Sequence, residues 1–257
     1  MKKRIVIKVG SAVLTENNEI ARERMLNLVH LVADLKKRFD VILVTSGAVA
    51  AGYSALKLDK RKQIGKKALA AAGQPILMSS YKKKFDFYDI DTAQILLTED
   101  DFDSRRRTKM FQELIDAHLS NDILPIVNEN DITSTPEQLF GDNDQLSANV
   151  AYATDADLLV ILSDIEGYYD KNPREHTDAK LYKVLYAVPE SALQEQSTPN
   201  DPFATGGIVT KLKAADFLLQ RGKRMFLCSG FDLTAAAQYL LHGEQTLGTL
   251  FEPEPKA

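Results

Sequence analysis

The chain has 257 residues, 44% hydrophobic and 26% charged, long enough to bury a substantial core in one large domain or two small ones. Its net charge of −4 argues against nucleic acid as the main partner, because phosphate neutralisation needs a basic face. One cysteine, Cys228, excludes an intramolecular disulfide, and His30, His118, His176 and His242 are scattered without metal-ligand spacing.

The first element is "RIVIKVG", an apolar run interrupted by Lys8, which is too short for a secretory h-region despite the basic residues before it. A helix is predicted next from the spacing of Met25, Leu28, Val29, Val32, Leu35 and Phe39. Then come "VILVTSG", an Ala-rich helix, "AQILLT", a second amphipathic stretch (Met110, Phe111, Leu114, Ile115, His118, Leu119), "ILPIVNEN", "LLVILSD" and "RMFLCSG". Continuous apolar runs predict strands buried on both faces, and their alternation with helices predicts right-handed βαβ units in an open α/β sandwich. No run reaches the ~18 apolar residues of a membrane span, so a cytoplasmic protein is expected. The segment 189–207, "PESALQEQSTPNDPFATGG", reads as a mobile flap.

In such a sheet ligands bind beyond the carboxyl ends of the strands. The residues just beyond each run are small, polar or charged: Lys8 to Ser11, Thr45 to Gly47, Asn128 to Asp131, Ser163 to Gly167, and Ser229 to Gly230. Lys8 precedes Gly10, where backbone can approach an anion; an edge lysine with a turn glycine is the equal alternative. Ser46 sits between a strand and a helix whose free N–H groups suit a carboxylate or phosphate, although a plain N-cap is the commoner role for it. Gly206 and Gly207 precede a helix with Lys211 placed in its first turn and exposed, a phosphate-cradle chemistry without the G-x-x-x-x-G-K-S/T pattern; taken alone, these residues read rather as a flexible loop with a surface lysine. Asp142, Asn143 and Asp144 open another helix; one suffices as a cap, and the others, with Asn130 and Asp131, suit an amino acid's ammonium and carboxylate. Their spacing departs from a Ca²⁺ loop. The basic runs at 35–38, 60–62, 82–84 and 105–107 read as solvated helix faces and helix starts, and Cys228 as core filling.

The ordered set "KVGSAVLT", "VTSGAVAAG", "LPIVNENDI", "FGDNDQLSA", "SDIEGYYDKNPR" and "TGGIVTKLKAA" resembles the amino acid kinase family over essentially the whole chain. The resemblance implies a three-layer αβα sandwich with a mostly parallel central sheet, an acceptor-binding half at about 1–155 and an ATP-binding half at about 156–257. The "NEND…GDND" pair favours L-glutamate as acceptor over carbamate, aspartate, acetylglutamate or UMP. ATP with Mg²⁺ is then the phosphoryl donor, and the product is an acyl phosphate on the path to proline. Carried over, Lys8 and Lys211 contact the transferring phosphates and Asp144 orients them. Ser46, Asp131 and Asn143 bind glutamate with Asp142 nearby. Ser163, Asp164 and the loop Thr205, Gly206, Gly207, Ile208, Val209, Thr210 and Lys211 bind ATP. Serine stands at 163 where threonine is usual, and Ile208 and Val209 replace a methionine and a small residue. Many members continue into a C-terminal PUA domain, which is not expected after "GTLFEPEPKA". Homo-oligomers and feedback inhibition by proline are usual in the family. The rivals are another acceptor on the same fold and a sensor that binds an amino acid without turnover.

Overall fold

The computed structural model describes residues 2–59, 61–134, 143–173, 175–194 and 207–255. Among the described residues ten strands run in chain order: β1 (Lys3–Val9), β2 (Thr15–Glu16), β3 (Glu19–Ile20), β4 (Phe39–Val44), β5 (Thr92–Leu97), β6 (Leu124–Glu129), β7 (Leu158–Ser163), β8 (Val184–Leu185), β9 (Met225–Ser229) and β10 (Thr249–Phe251). The helices are α1 (Ser11–Leu14), α2 (Arg22–Lys36), α3 (Ala48–Leu56), α4 (Gln63–Phe85), α5 (Asp100–Asp103), α6 (Arg105–Ser120), α7 (Asn143–Ala153), α8 (Glu190–Gln194), α9 (Gly207–Leu219) and α10 (Thr234–Ala237). Eight strands form one sheet in the order β5-β6-β4-β1-β7-β9-β10-β8, while β2 and β3 make a separate antiparallel hairpin. Every pairing in the large sheet is parallel except β9 with β10.

All six apolar runs named from the sequence are strands. The helical spacing that included Phe39 ran too far, since α2 stops at Lys36 and Phe39 opens β4. Lys37 and Arg38 form the intervening turn, their N–H groups donating to Asp34 and Leu35 carbonyls. On α6 only Phe111 and Ile115 of the amphipathic set are buried, and Met110 and Leu114 face outward. Segment 189–207 divides: 190–194 is α8, Gly207 begins α9, and 195–206 lies outside the described residues.

Strand side chains alternate between faces, and the core obeys that rule. Ile5, Ile7 and Val9 of β1 pack with Met25, Leu28, Val32 and Tyr81 on the side covered by α2 and α4. Val6 of β1, Ile42 and Val44 of β4, and Leu159 and Ile161 of β7 pack with Leu146, Val150, Leu212 and Leu218 on the side covered by α7 and α9. The layers are therefore helix, sheet and helix, the expected three-layer αβα sandwich. Lys8 shares parity with Val6, so the pleat aims an ammonium at the layer holding α7 and α9. Helices α3 and α4 cross at a pair of glycines. A Cβ on Gly73 would lie 1.8 Å from the Ala48 carbonyl oxygen, and one on Gly52 would lie 1.9 Å from that of Leu69. No described helix is long and apolar enough to cross a membrane.

Candidate active site

Because the strands are parallel, the carboxyl ends of β1, β4, β6, β7 and β9 share one edge of the sheet, and the loops leaving them meet there. Helix α7 begins at that edge. Its first two residues, Asn143 and Asp144, point to different neighbours, and this divides the site into two parts.

Asp144 is fully buried. One carboxylate oxygen accepts from Lys8 Nζ; the other accepts from Lys211 Nζ at 3.0 Å and from Thr210 Oγ1 at 2.9 Å. Burial pushes the carboxyl pKa up, but the adjacent Lys8 and Lys211 ammoniums outweigh it and hold the group well below the ordinary aspartate range. Lys211 also donates to the Gly207 carbonyl at 2.7 Å. The three expected catalytic residues thus form one cluster. Lys211 differs from expectation in one respect: it is 5% exposed, not solvated. It is the fifth residue of α9, where the turn back over Gly207 and the salt bridge draw it inward. Thr210, expected in the nucleotide loop, joins the cluster through Asp144.

Asn143 turns to the second part. Its Nδ2 donates to the Thr45 carbonyl, to Asn128 Oδ1 at 2.8 Å and to Ser46 Oγ at 3.1 Å. A cavity of about 450 Å³ opens beside it, lined by Ser46, Asn128, Asp131 and Asn143, by Ala48 to Ala50 at the start of α3, and by Ser11, Thr15 and Asn18 from α1 and the β2–β3 hairpin. Ser46 does not cap α3. Gly47 is the N-cap, at φ 101°, in the left-handed region that glycine tolerates, and its conformation turns the first turn of α3 toward the cavity. First-turn N–H groups lack intrahelical acceptors, so they give this wall anion-binding character. Burial raises the Asp131 pKa above the ordinary value, with its own backbone N–H and the nearby Lys66 pulling the other way.

Ser163 is buried at the carboxyl end of β7, where its hydroxyl donates to exposed Asp164 at 3.0 Å. Ile208 and Val209 lie in the first turn of α9. Asp142, Thr205 and Gly206 lie outside the described residues. Residues the sequence reading did not single out also belong here. Gln74 accepts from Asn128 Nδ2 at 2.8 Å, and Tyr81, fully buried, shares a 2.8 Å hydrogen bond with Thr45 Oγ1. Their signal was in the chain: polar atoms at positions 74 and 81 on the otherwise apolar face of α4.

A mostly parallel sheet carrying a buried Lys–Asp–Lys cluster at its carboxyl edge, with a polar cavity alongside, suits the class of phosphotransferases. The amino acid kinase family model matches residues 3–229, and the chain belongs to that family. Among curated relatives, the glutamate 5-kinase of Wolinella succinogenes is 53% identical over 97% of this chain and 97% of its own length. That of Helicobacter hepaticus is 49% identical over 98% and 96%. The glutamate 5-kinase of Bacillus anthracis is 42% identical over 89% of this chain but only 64% of its own. Solved structures sharing the fold include carbamate kinase from Giardia lamblia bound to AMP-PNP (TM-score 0.68, 15% identity, covering 98% and 99%). Isopentenyl phosphate kinase from T. acidophilum also shares it (TM-score 0.65, 14% identity, covering 97% and 100%).

Proposed function

We propose that the chain transfers the γ-phosphoryl group of ATP to the side-chain carboxylate of L-glutamate, giving L-glutamyl 5-phosphate, the first step toward proline. The observation that carries the reading is the split at the start of α7. Asn143 lines an amino-acid-sized cavity while Asp144 holds Lys8 and Lys211 together. One helix terminus thereby joins an acceptor pocket to a phosphate-binding cluster. The glutamate 5-kinase relatives support the choice of acceptor.

A glutamate side chain has a reference pKa near ~4.3, so it reaches the site already ionised as the nucleophile, and no general base is required. What remains is to place it in line and to neutralise charge, which is where most catalysis of phosphoryl transfer lies. In this reading Asp131 and the Asn143 carbonyl oxygen receive the α-ammonium, and the α3 terminus beside Ser46 receives the α-carboxylate. Lys8 and Lys211, fixed by Asp144, meet the phosphates, stabilising charge as it develops. Ser163, Asp164 and 205–211 serve ATP, so the acceptor half is about 1–155 and the nucleotide half about 156–257. Mg²⁺ arrives with ATP as part of that substrate, held by its phosphates.

Proline carries an α-carboxylate and a charged, secondary α-ammonium but no side-chain carboxylate to phosphorylate, so it is expected to compete at this pocket. An unchanged initial rate at subsaturating glutamate and millimolar proline would contradict that. The activity itself is tested by a hydroxylamine trap, which converts acyl phosphate to a hydroxamate. Product from ATP and L-glutamate, with less from aspartate, acetylglutamate or carbamate, is the expected result. Another preferred acceptor, or none, would overturn it in favour of a different kinase or a sensor.

A further inference from the structure

Helix α4 turns Ala70, Leu77, Tyr81 and Phe85 into the core, and on that same buried face stands one amide, Gln74, 8% exposed. Its orientation is fixed from a distance. The backbone N–H of Glu129 donates to Asn128 Oδ1 at 2.9 Å, so that oxygen, and not the amide NH₂, must face the strand. Asn128 Nδ2 then faces α4 and donates to Gln74 Oε1 at 2.8 Å. Gln74 Nε2 is left buried with no partner among the described residues. On the other side, the same Asn128 oxygen accepts from Asn143 Nδ2 at 2.8 Å. Asn143 therefore commits its NH₂ to protein acceptors, which leaves its amide oxygen as the atom it can offer to a ligand in the adjoining cavity.

A buried donor without a partner opposes folding, and an apolar side chain on this face would remove that cost only by leaving the Asn128 NH₂ without its acceptor. The Gln74 amide thus serves to fix which way Asn128 faces. We propose that Gln74 is a positioning residue for the acceptor, resting on the amino-acid-binding reading above. Its Oε1 holds the Asn128 amide, which holds Asn143 with an acceptor presented to the substrate's ammonium. Without Gln74 Oε1, Asn128 Nδ2 loses its partner, swings toward the cavity and releases Asn143.

The test uses Gln74→Met, which keeps length and volume but removes the acceptor, and Gln74→Glu, which keeps an oxygen facing Asn128. Gln74→Met is expected to fold and to melt near or somewhat below the parent, and to raise the glutamate KM about tenfold, with kcat at saturating glutamate and the ATP KM within about twofold. Gln74→Glu is expected to recover most of the lost KM. A parental glutamate KM in Gln74→Met, a Gln74→Glu variant no better than Gln74→Met, parallel losses in kcat and ATP KM, or a Gln74→Met chain that does not fold would each overturn the inference. If the parent itself forms no hydroxamate from glutamate, the amino-acid reading falls and this one with it. If the parent is active and only the KM fails to move, this inference falls alone.

Discussion

Lys8 and Lys211, from opposite ends of the chain, meet on opposite oxygens of one buried carboxylate, that of Asp144. The three side chains together carry one net positive charge in a place largely closed to water. Such an arrangement favours an incoming anion more strongly than a surface pair does, because less solvent screens it. It also holds the two ammoniums at a fixed separation, so that on the proposed reading little reorganisation is needed during transfer.

Replacing Asp144 with asparagine leaves two buried ammoniums facing a neutral group. Breaking a buried ion cluster by removing one partner typically costs about 3–5 kcal/mol. The pH dependence comes from the lowered carboxyl pKa. The stabilisation is complete above the unfolded-state value of about 3.9 and is lost as pH falls through the lower folded value. The stability gap between parent and Asp144→Asn, read from urea midpoints, should therefore be constant from neutral pH down to mildly acid conditions. It should narrow only below the ordinary aspartate range. A gap that closes near neutrality would contradict the cluster.

Asp131 makes the opposite prediction for stability. Burial raises its pKa, so the ionised form opposes folding at any pH above its folded value, and the cost disappears below the unfolded value. Asp131→Asn should melt at or slightly above the parent at neutral pH. It should nevertheless raise the glutamate KM by roughly ten- to a hundredfold, since a hydrogen bond to a charged group is worth about 1.5–3 kcal/mol. The ATP KM should hold. An unchanged glutamate KM removes Asp131 from the pocket.

The α3–α4 crossing supports the site mechanically. A methyl group on Gly73 would overlap the Ala48 carbonyl, and Ala48 is in the first turn of α3 at the cavity wall. Gly73→Ala must push α3 away from α4. Overpacking of this kind costs about 1–3 kcal/mol, and occasionally more. Both the melting temperature and the glutamate affinity should fall together, measured by thermal denaturation and steady-state kinetics. A variant with parental values for both would show that the helices part without disturbing the wall.

Much of this was legible in the chain. The six parallel strands announced themselves because burial on both faces forces continuous apolar runs, and the parallel edge rule then pointed to Lys8, Ser46, Asp131 and Ser163 together, while Asn143 stood out through the surplus of capping residues at 142–144. The short strands 15–16, 19–20, 184–185 and 249–251 carried too little pattern to be read. The burial of Lys211 is not legible in the sequence, because a position early in a helix does not by itself decide solvent contact. Whether a lysine snorkels outward or folds back depends on a carboxylate from another helix, here Asp144, which sequence spacing does not reveal. Gln74 is hidden for a similar reason: its value lies in a bond to β6, distant in sequence.

Cys228 offers a simple check on the core. It is fully buried at the end of β9, and burial pushes its thiol pKa up to about 12. The native protein should resist iodoacetamide at mildly alkaline pH and keep its full activity, whereas the urea-unfolded chain should label at its single cysteine. Rapid labelling of the folded protein would contradict the packing on this side of the sheet.

The most direct test of the account is a Lys211→Met comparison of glutamate affinity with turnover. Methionine replaces the lysine stem, and Asp144 keeps Lys8 and Thr210 as partners, so the chain should fold. An ammonium that acts mainly on the transition state contributes to kcat and little to acceptor binding. Removal of one such preorganised group commonly costs ~10²–10³ in rate. The prediction is a glutamate dissociation constant within about threefold of the parent and a kcat at least about a hundredfold lower. A folded Lys211→Met enzyme turning over within about threefold of the parent would contradict the assignment of the Lys8–Asp144–Lys211 cluster to phosphoryl transfer.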